Sequence, residues 1–163
     1  MRLNKPLLSL VLLITTLTLS YQLRAETKIM LVGDSLSAGY GLKQEESWFK
    51  LLQSVWQQQH PDILLINASI SGETTTGGLS RLPRLIKEHT PDVVIIELGG
   101  NDGLRGYPVK KIKANLTSMI ETTRQSGAEP WLVEIQIPPN YGARYTKSFT
   151  EHYSKLAHEL EVK

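Results

Sequence analysis

A serine just past an apolar run is the chain's most suggestive chemical feature. Gly33-Asp34-Ser35-Leu36-Ser37 directly follows the apolar run 28–32. A hydroxyl held there stands at the rim of a sheet, and the backbone N–H of Ser35 can donate to a developing oxyanion. Gly33 lets the chain turn sharply. A serine hydroxyl is a weak nucleophile by itself and needs a base within reach. Gly-Asp-Ser also makes an ordinary helix-capping turn, so the pattern alone leaves both readings open.

Two further segments carry compatible groups. Gly72, within Ser69-Ile70-Ser71-Gly72-Glu73-Thr74, can bring a bare N–H close to a ligand. Gly99-Gly100-Asn101-Asp102 follows the apolar run 93–98, and an asparagine amide can donate to developing negative charge. Asn101 and Asp102 equally suit a turn or a helix cap.

Such groups act together only if a scaffold brings separate loops to one rim. Runs 28–32, 63–66, 93–98 and 131–137 read as strands, the third rich in β-branched residues. Trp48, Phe49, Leu51, Leu52, Val55 and Trp56 recur at helical spacing and predict a helix over 47–59, capped by Ser47 and stopped by His60-Pro61. Leu79, Leu82, Leu85 and Ile86 predict a second helix, with Pro83 near its first turn or kinking it. Ile112, Leu116, Met119 and Ile120 mark a third, stopping at Gly127, and Phe149, Tyr153, Leu156 and Leu160 a last one. Strands alternating with helices predict an α/β fold whose parallel sheet is covered on both faces. Functional loops of such sheets gather at the carboxyl ends of the strands. The segments GDSLSAGYG, NASISGETT, GGNDGLRG and PPNYGARY all fall there, and this convergence is the ground for reading an enzyme.

Composition narrows the classes. The 163 residues suit one domain. The formal net charge of +2 comes from the N-terminus: without Arg2, Lys5 and Arg24, 15 basic residues face 16 acidic ones. A nearly neutral body gives no electrostatic ground for nucleic-acid binding. Arg2 and Lys5, the apolar stretch 7–19 and the ending Leu23-Arg24-Ala25 form the pattern of a secretory signal peptide, with a leucine at the third position before the cut. The stretch is shorter than the roughly 20 residues that span a bilayer. The expected organisation is a signal peptide over 1–25 and a catalytic domain over 26–163, periplasmic or secreted, with no stable membrane span after cleavage. The sequence has no cysteine, which excludes disulfides, thiol catalysis, Cys-bound metals and a lipoprotein anchor. No His/Asp/Glu cluster has metal-ligand spacing, and no Gly-x-Gly-x-x-Gly or Walker loop follows the first strand, so no metal or cofactor is expected.

The Ser35, Gly72 and Asn101 blocks, in this order and spacing, resemble the GDSL or SGNH hydrolase family. The resemblance extends over 27–163, and NASISG, ELGGNDGLRG and PPNYGARY look like periplasmic ester and thioester hydrolases of Gram-negative bacteria within it. It implies a three-layer α/β sandwich around a central parallel sheet, of the SGNH or flavodoxin-like kind. It implies that Ser35 is the nucleophile and that the N–H of Ser35, the N–H of Gly72 and the amide of Asn101 form the oxyanion hole. A mobile segment over 103–108 beside the acyl pocket is implied too, so Gly103 and Leu104 are expected at the substrate, with Ile137 and Tyr141 nearby. The implied substrates are small acyl esters, thioesters or lysophospholipids, split by arylesterase, acyl-CoA thioesterase or lysophospholipase activity, and a monomer is expected. Export weighs against acyl-CoA as the natural substrate.

The family draws its base from an Asp-x-x-His motif after a fifth strand, and this sequence contains none. His60 and His89 fall at predicted helix ends, while His152 and His158 are expected on the surface of the last helix. The chain stops at Glu161-Val162-Lys163, where that strand is due. The expectation is therefore a C-terminally truncated domain with impaired turnover. The alternative is an inactive acyl- or glycan-binding protein that keeps the cleft.

Overall fold

The computed structural model describes residues 26–163; the expected signal peptide lies outside them. Strands β1 (Thr27–Gly33), β2 (Ile63–Asn67), β3 (Val93–Glu97) and β4 (Glu129–Leu132) form one sheet in the order β2-β1-β3-β4. Every pairing is parallel, and Met30 of β1 registers with Ile66 on one side and Val94 on the other. Met30, Val32, Val94 and Ile96 enter one core, whereas Ile29, Leu31 and Val93 enter the other. This is the two-residue strand period. The central strands read as unbroken apolar runs because both of their faces are covered.

The covers are helices α1 (Ser35–Ala38), α2 (Trp48–Gln59), α3 (Thr75–His89), α4 (Gly100–Leu104), α5 (Val109–Gln125) and α6 (Ala143–Glu159), with 3-10 turns at Gln44–Glu46 and Pro139–Tyr141. Leu82 and Leu85 of α3, Ile112, Leu116 and Met119 of α5, and Phe149 and Leu156 of α6 pack into the first core. Phe49 of α2, with Leu52 and Trp56, packs into the second. The result is the expected three-layer sandwich. Ser47 caps α2 by accepting from the Lys50 N–H, and α5 ends just ahead of Gly127, whose φ of 88° suits only glycine well.

One expectation is narrowed and another corrected. Of the two readings of Pro83 the first turn falls away: the residue lies in the middle of α3, on its exposed side, because the helix starts at Thr75. Gly77 and Gly78, weak helix formers, lie inside it. Gly78 permits close helix–sheet approach, since a Cβ there would lie 2.2 Å from Leu98 Cδ1. The fourth strand is Glu129–Leu132, not 131–137. β4 pairs only with β3, which ends at Glu97, so the ladder runs out after the Val133 N–H meets the Ile96 carbonyl. The alternation beyond is real, since Ile135 and Ile137 are buried, but their burial comes from the first core and not from a strand partner.

Candidate active site

The carboxyl ends of β1, β2 and β3 deliver three loops to one place. After β1, Asp34 caps α1: its Oδ1 accepts from the Leu36 N–H at 3.0 Å, which leaves Ser35 as the first helical residue. After β2, the chain runs through Ser71 to Gly72, which adopts a left-handed φ of 79°. After β3, Gly99 turns the chain with φ 120°, and a Cβ there would lie 2.1 Å from the Tyr153 hydroxyl. That hydroxyl donates to the Leu98 carbonyl at 2.9 Å, bracing the turn that launches α4 and Asn101.

Ser35, Tyr40, Ser71, Gly72 and Asn101 line one cleft of about 340 Å³. The Ser35 side chain is half-buried, and among the described residues its hydroxyl makes no hydrogen bond. The N–H groups of Ser35 and Gly72 likewise donate to nothing among the described residues. Asn101 Nδ2 donates to Asp34 Oδ2 at 3.1 Å and to the Glu73 carbonyl at 3.0 Å. Two acceptors on one nitrogen fix which way the amide points. Glu73 is itself held by Arg81, whose Nε lies 2.6 Å from Glu73 Oε2 and whose Nη2 donates to the Ala68 carbonyl at 2.7 Å. From α4, Arg105 Nη2 donates to the Gly72 carbonyl at 3.3 Å.

Ser35, Gly72 and Asn101 thus meet at one cleft, and the family model for GDSL-like lipases and acylhydrolases matches residues 31–163. The chain belongs to that family. An arylesterase of Vibrio mimicus is 49% identical over 156 residues, covering 96% of this chain and 76% of that protein. The thioesterase 1/protease 1/lysophospholipase L1 of Escherichia coli K12 is 42% identical over 144 residues, covering 88% of this chain and 68% of its own. Among solved structures, the psychrotrophic esterase EstA of Pseudoalteromonas sp., inhibited by monoethylphosphonate, superposes with a TM-score of 0.81 at 50% identity. That match covers 83% of this chain and 74% of EstA.

Not every residue expected at the GDSL cleft lines it. Gly103 is buried, with room for no Cβ: one would lie 2.7 Å from Phe149 Cε2 and 2.8 Å from Ile137 Cγ2. Ile137 belongs to the first core, below the rim. Leu104 and Tyr141 are exposed. A second groove of about 700 Å³ is lined by Gly106, Pro108, Val109, Arg144 and Tyr145, among others, and neither Leu104 nor Tyr141 lines it.

The histidines fall in four places. His60 caps α2, His89 ends α3, and His158 is exposed near the end of α6. His152 is a correction: it is buried, not a surface residue. Its ring packs between Phe149 and Tyr153, its Nδ1 meets the Phe149 carbonyl, and its Nε2 has no partner among the described residues. Burial lowers its proton affinity, with the Phe149 contact opposing and the Lys113 charge adding to the fall. Its flanking glutamate disguised a core position on the 149–153–156 face of the helix.

Sequence reasoning offered Asp34 and Asp102 only as turn or cap residues and gave Glu97 no role. Asp34 orients Asn101, and Asp102, fully buried, holds the start of α3. Glu97 lies beneath the Ser35 turn, where burial raises its proton affinity, hydrogen bonding from Ser37 opposes the rise and the Asp34 charge adds to it. The signal for all three was adjacency to motif residues, but their partners are remote in sequence. Among the described residues no helix is long and apolar enough to cross a membrane, and no cluster of His, Asp or Glu could hold a metal ion.

Proposed function

We propose that this chain is a carboxylic ester and thioester hydrolase that works through an acyl-Ser35 intermediate. The observation that carries this reading is the convergence of Ser35, Gly72 and Asn101 on one cleft. Ser35 Oγ attacks the substrate carbonyl as solvent takes its proton, and the carbonyl oxygen becomes anionic. The free N–H groups of Ser35 and Gly72 donate to it, and the Asn101 amide shares one of its hydrogens with it. Because Asp34 and Glu73 already orient that amide, little reorganisation accompanies the charge. Collapse expels the alcohol or thiol, and water releases the acid from Ser35.

The names of the relatives, arylesterase and thioesterase/lysophospholipase, support an acyl ester, thioester or lysophospholipid as substrate. Leu36, Tyr40 and Leu42 stand exposed beside Ser35 and suit an acyl or aryl group. The signal pattern over 1–25 supports a periplasmic or secreted protein acting on envelope esters. Leu104 and Tyr141, both exposed, would meet the far end of a longer acyl chain, while Gly103 and Ile137, both buried, would support them from within.

The test is covalent. A fluorophosphonate incubated with the purified chain is expected to add its mass to the peptide containing Ser35, and Ser35→Ala is expected to abolish both this adduct and the release of p-nitrophenol from p-nitrophenyl butyrate. An unlabelled Ser35 in a folded protein would remove the assignment.

A further inference from the structure

Beneath the turn that carries Ser35 lies a carboxyl that the chemistry above leaves unused. Glu97 closes β3 and is 6% exposed. Its Oε2 accepts from the Ser37 hydroxyl, and the Asp34 carboxylate lies near enough for its charge to act on it. Asp34 and Ser37 stand on opposite sides of Ser35 in the chain. The carboxyl packs against the bare face of Gly33, where a Cβ would lie 2.4 Å from Glu97 Oε2 and 2.9 Å from Ser69 Oγ. Ser69 Oγ, on the loop leading to Gly72, is buried and has no partner among the described residues. No cation pairs with Glu97 among the described residues, and burying a carboxyl without one is costly.

We propose that Glu97 is a positioning residue for acyl transfer: by holding the Ser37 hydroxyl and packing against Gly33, it fixes the Ser35 hydroxyl and N–H against Gly72 and Asn101. Asp34 orients Asn101 directly, so a shift of this turn would displace nucleophile and oxyanion donor together. Small misplacements of reacting groups lower rate without weakening binding in proportion. This inference rests on the esterase reading.

The experiment compares the full chain with Glu97→Gln, Ser37→Ala and the double variant on p-nitrophenyl butyrate. Glu97→Gln keeps the side-chain shape but removes the charge, which weakens the contact, and Ser37→Ala removes its donor. Each single variant is expected to lower kcat about tenfold, with KM changed less than about twofold and Tm nearly unchanged. The double variant is expected to be no slower than the slower single one, because both changes act on one interaction. Wild-type kcat in both singles, losses that multiply in the double, or losses that follow Tm would each overturn the role. If Glu97→Gln does not fold, Ser37→Ala decides alone. A wild-type chain without turnover removes the esterase reading and this inference together, whereas an active wild type with unaffected variants removes only this one.

Discussion

Asp102 reaches from α4 to the first residue of α3, where Oδ2 accepts from the Thr75 N–H at 2.8 Å and Oδ1 from the Thr75 hydroxyl at 2.7 Å. The carboxylate is fully buried and lies at a helix N-terminus, where orphan N–H groups favour negative charge. It ties the loop carrying Asn101 to the segment that follows Gly72, so two of the candidate donors share one anchor. Asp102→Ala is expected to lower stability by about 3 kcal/mol, from two charge-assisted hydrogen bonds lost and a buried donor left unpaired. Asp102→Asn is expected to cost less, since its amide oxygen still accepts one of the two. Urea denaturation measures both, and equal stabilities would show that the contact does not hold the loops.

Asn101 tests the donor set most directly. Removing one oxyanion donor typically lowers rate by about 10²–10³. Asn101→Ala is expected to fall in that range in kcat, with KM little altered because the amide acts mainly on the transition state. Steady-state kinetics on p-nitrophenyl butyrate decides, and a near-normal kcat removes Asn101 from the site.

The outline of this site was legible in the sequence because its primary groups obey local rules. Ser35, Gly72 and Asn101 each follow a buried strand, and parallel strands send such loops to one rim. The supporting layer was not legible. Asp102 with Thr75, Glu97 with Ser37 and Asn101 with Asp34 are pairs 27, 60 and 67 residues apart, and no local pattern encodes such distances. β4 misled for a related reason: Ile135 and Ile137 alternate as strand residues do, but strand pairing also needs a neighbour, and β3 has already ended. His152 misled because Glu151 and Lys155 beside it are exposed partners of one another, while the ring itself turns inward.

The burial of His152 predicts a pH effect on stability. Its folded-state proton affinity is lowered, chiefly by burial, so the fold holds the neutral ring. The unfolded chain takes up the proton as pH falls through the ordinary histidine pKa of about 6.5. Stability is therefore fully present above that value and lost as pH falls through it toward the lower folded pKa, at up to about 1.4 kcal/mol per pH unit. Glu97, whose affinity is raised, contributes with the opposite sign and is lost as pH rises through its folded pKa. The comparison must therefore be between proteins. His152→Leu is expected to lose less stability than the wild type between pH 7.5 and 5.5, and parallel curves from thermal or urea unfolding would exclude the histidine as the source.

Ser35 sets the last prediction. Its hydroxyl makes no hydrogen bond among the described residues, and none of the four histidines lines its cleft. A serine hydroxyl attacks efficiently only when a base takes its proton. Where the base is lacking, the oxyanion donors alone still give about 10³–10⁴ over the reaction in water. A small diffusible base should then serve. Imidazole added to the 163-residue chain is expected to speed p-nitrophenol release beyond its own background, as measured in parallel with Ser35→Ala. The increment should saturate with ester and vanish on fluorophosphonate treatment, since both mark reaction at Ser35. An increment equal in wild type and Ser35→Ala would mean that imidazole attacks the ester in solution and that Ser35 takes no part.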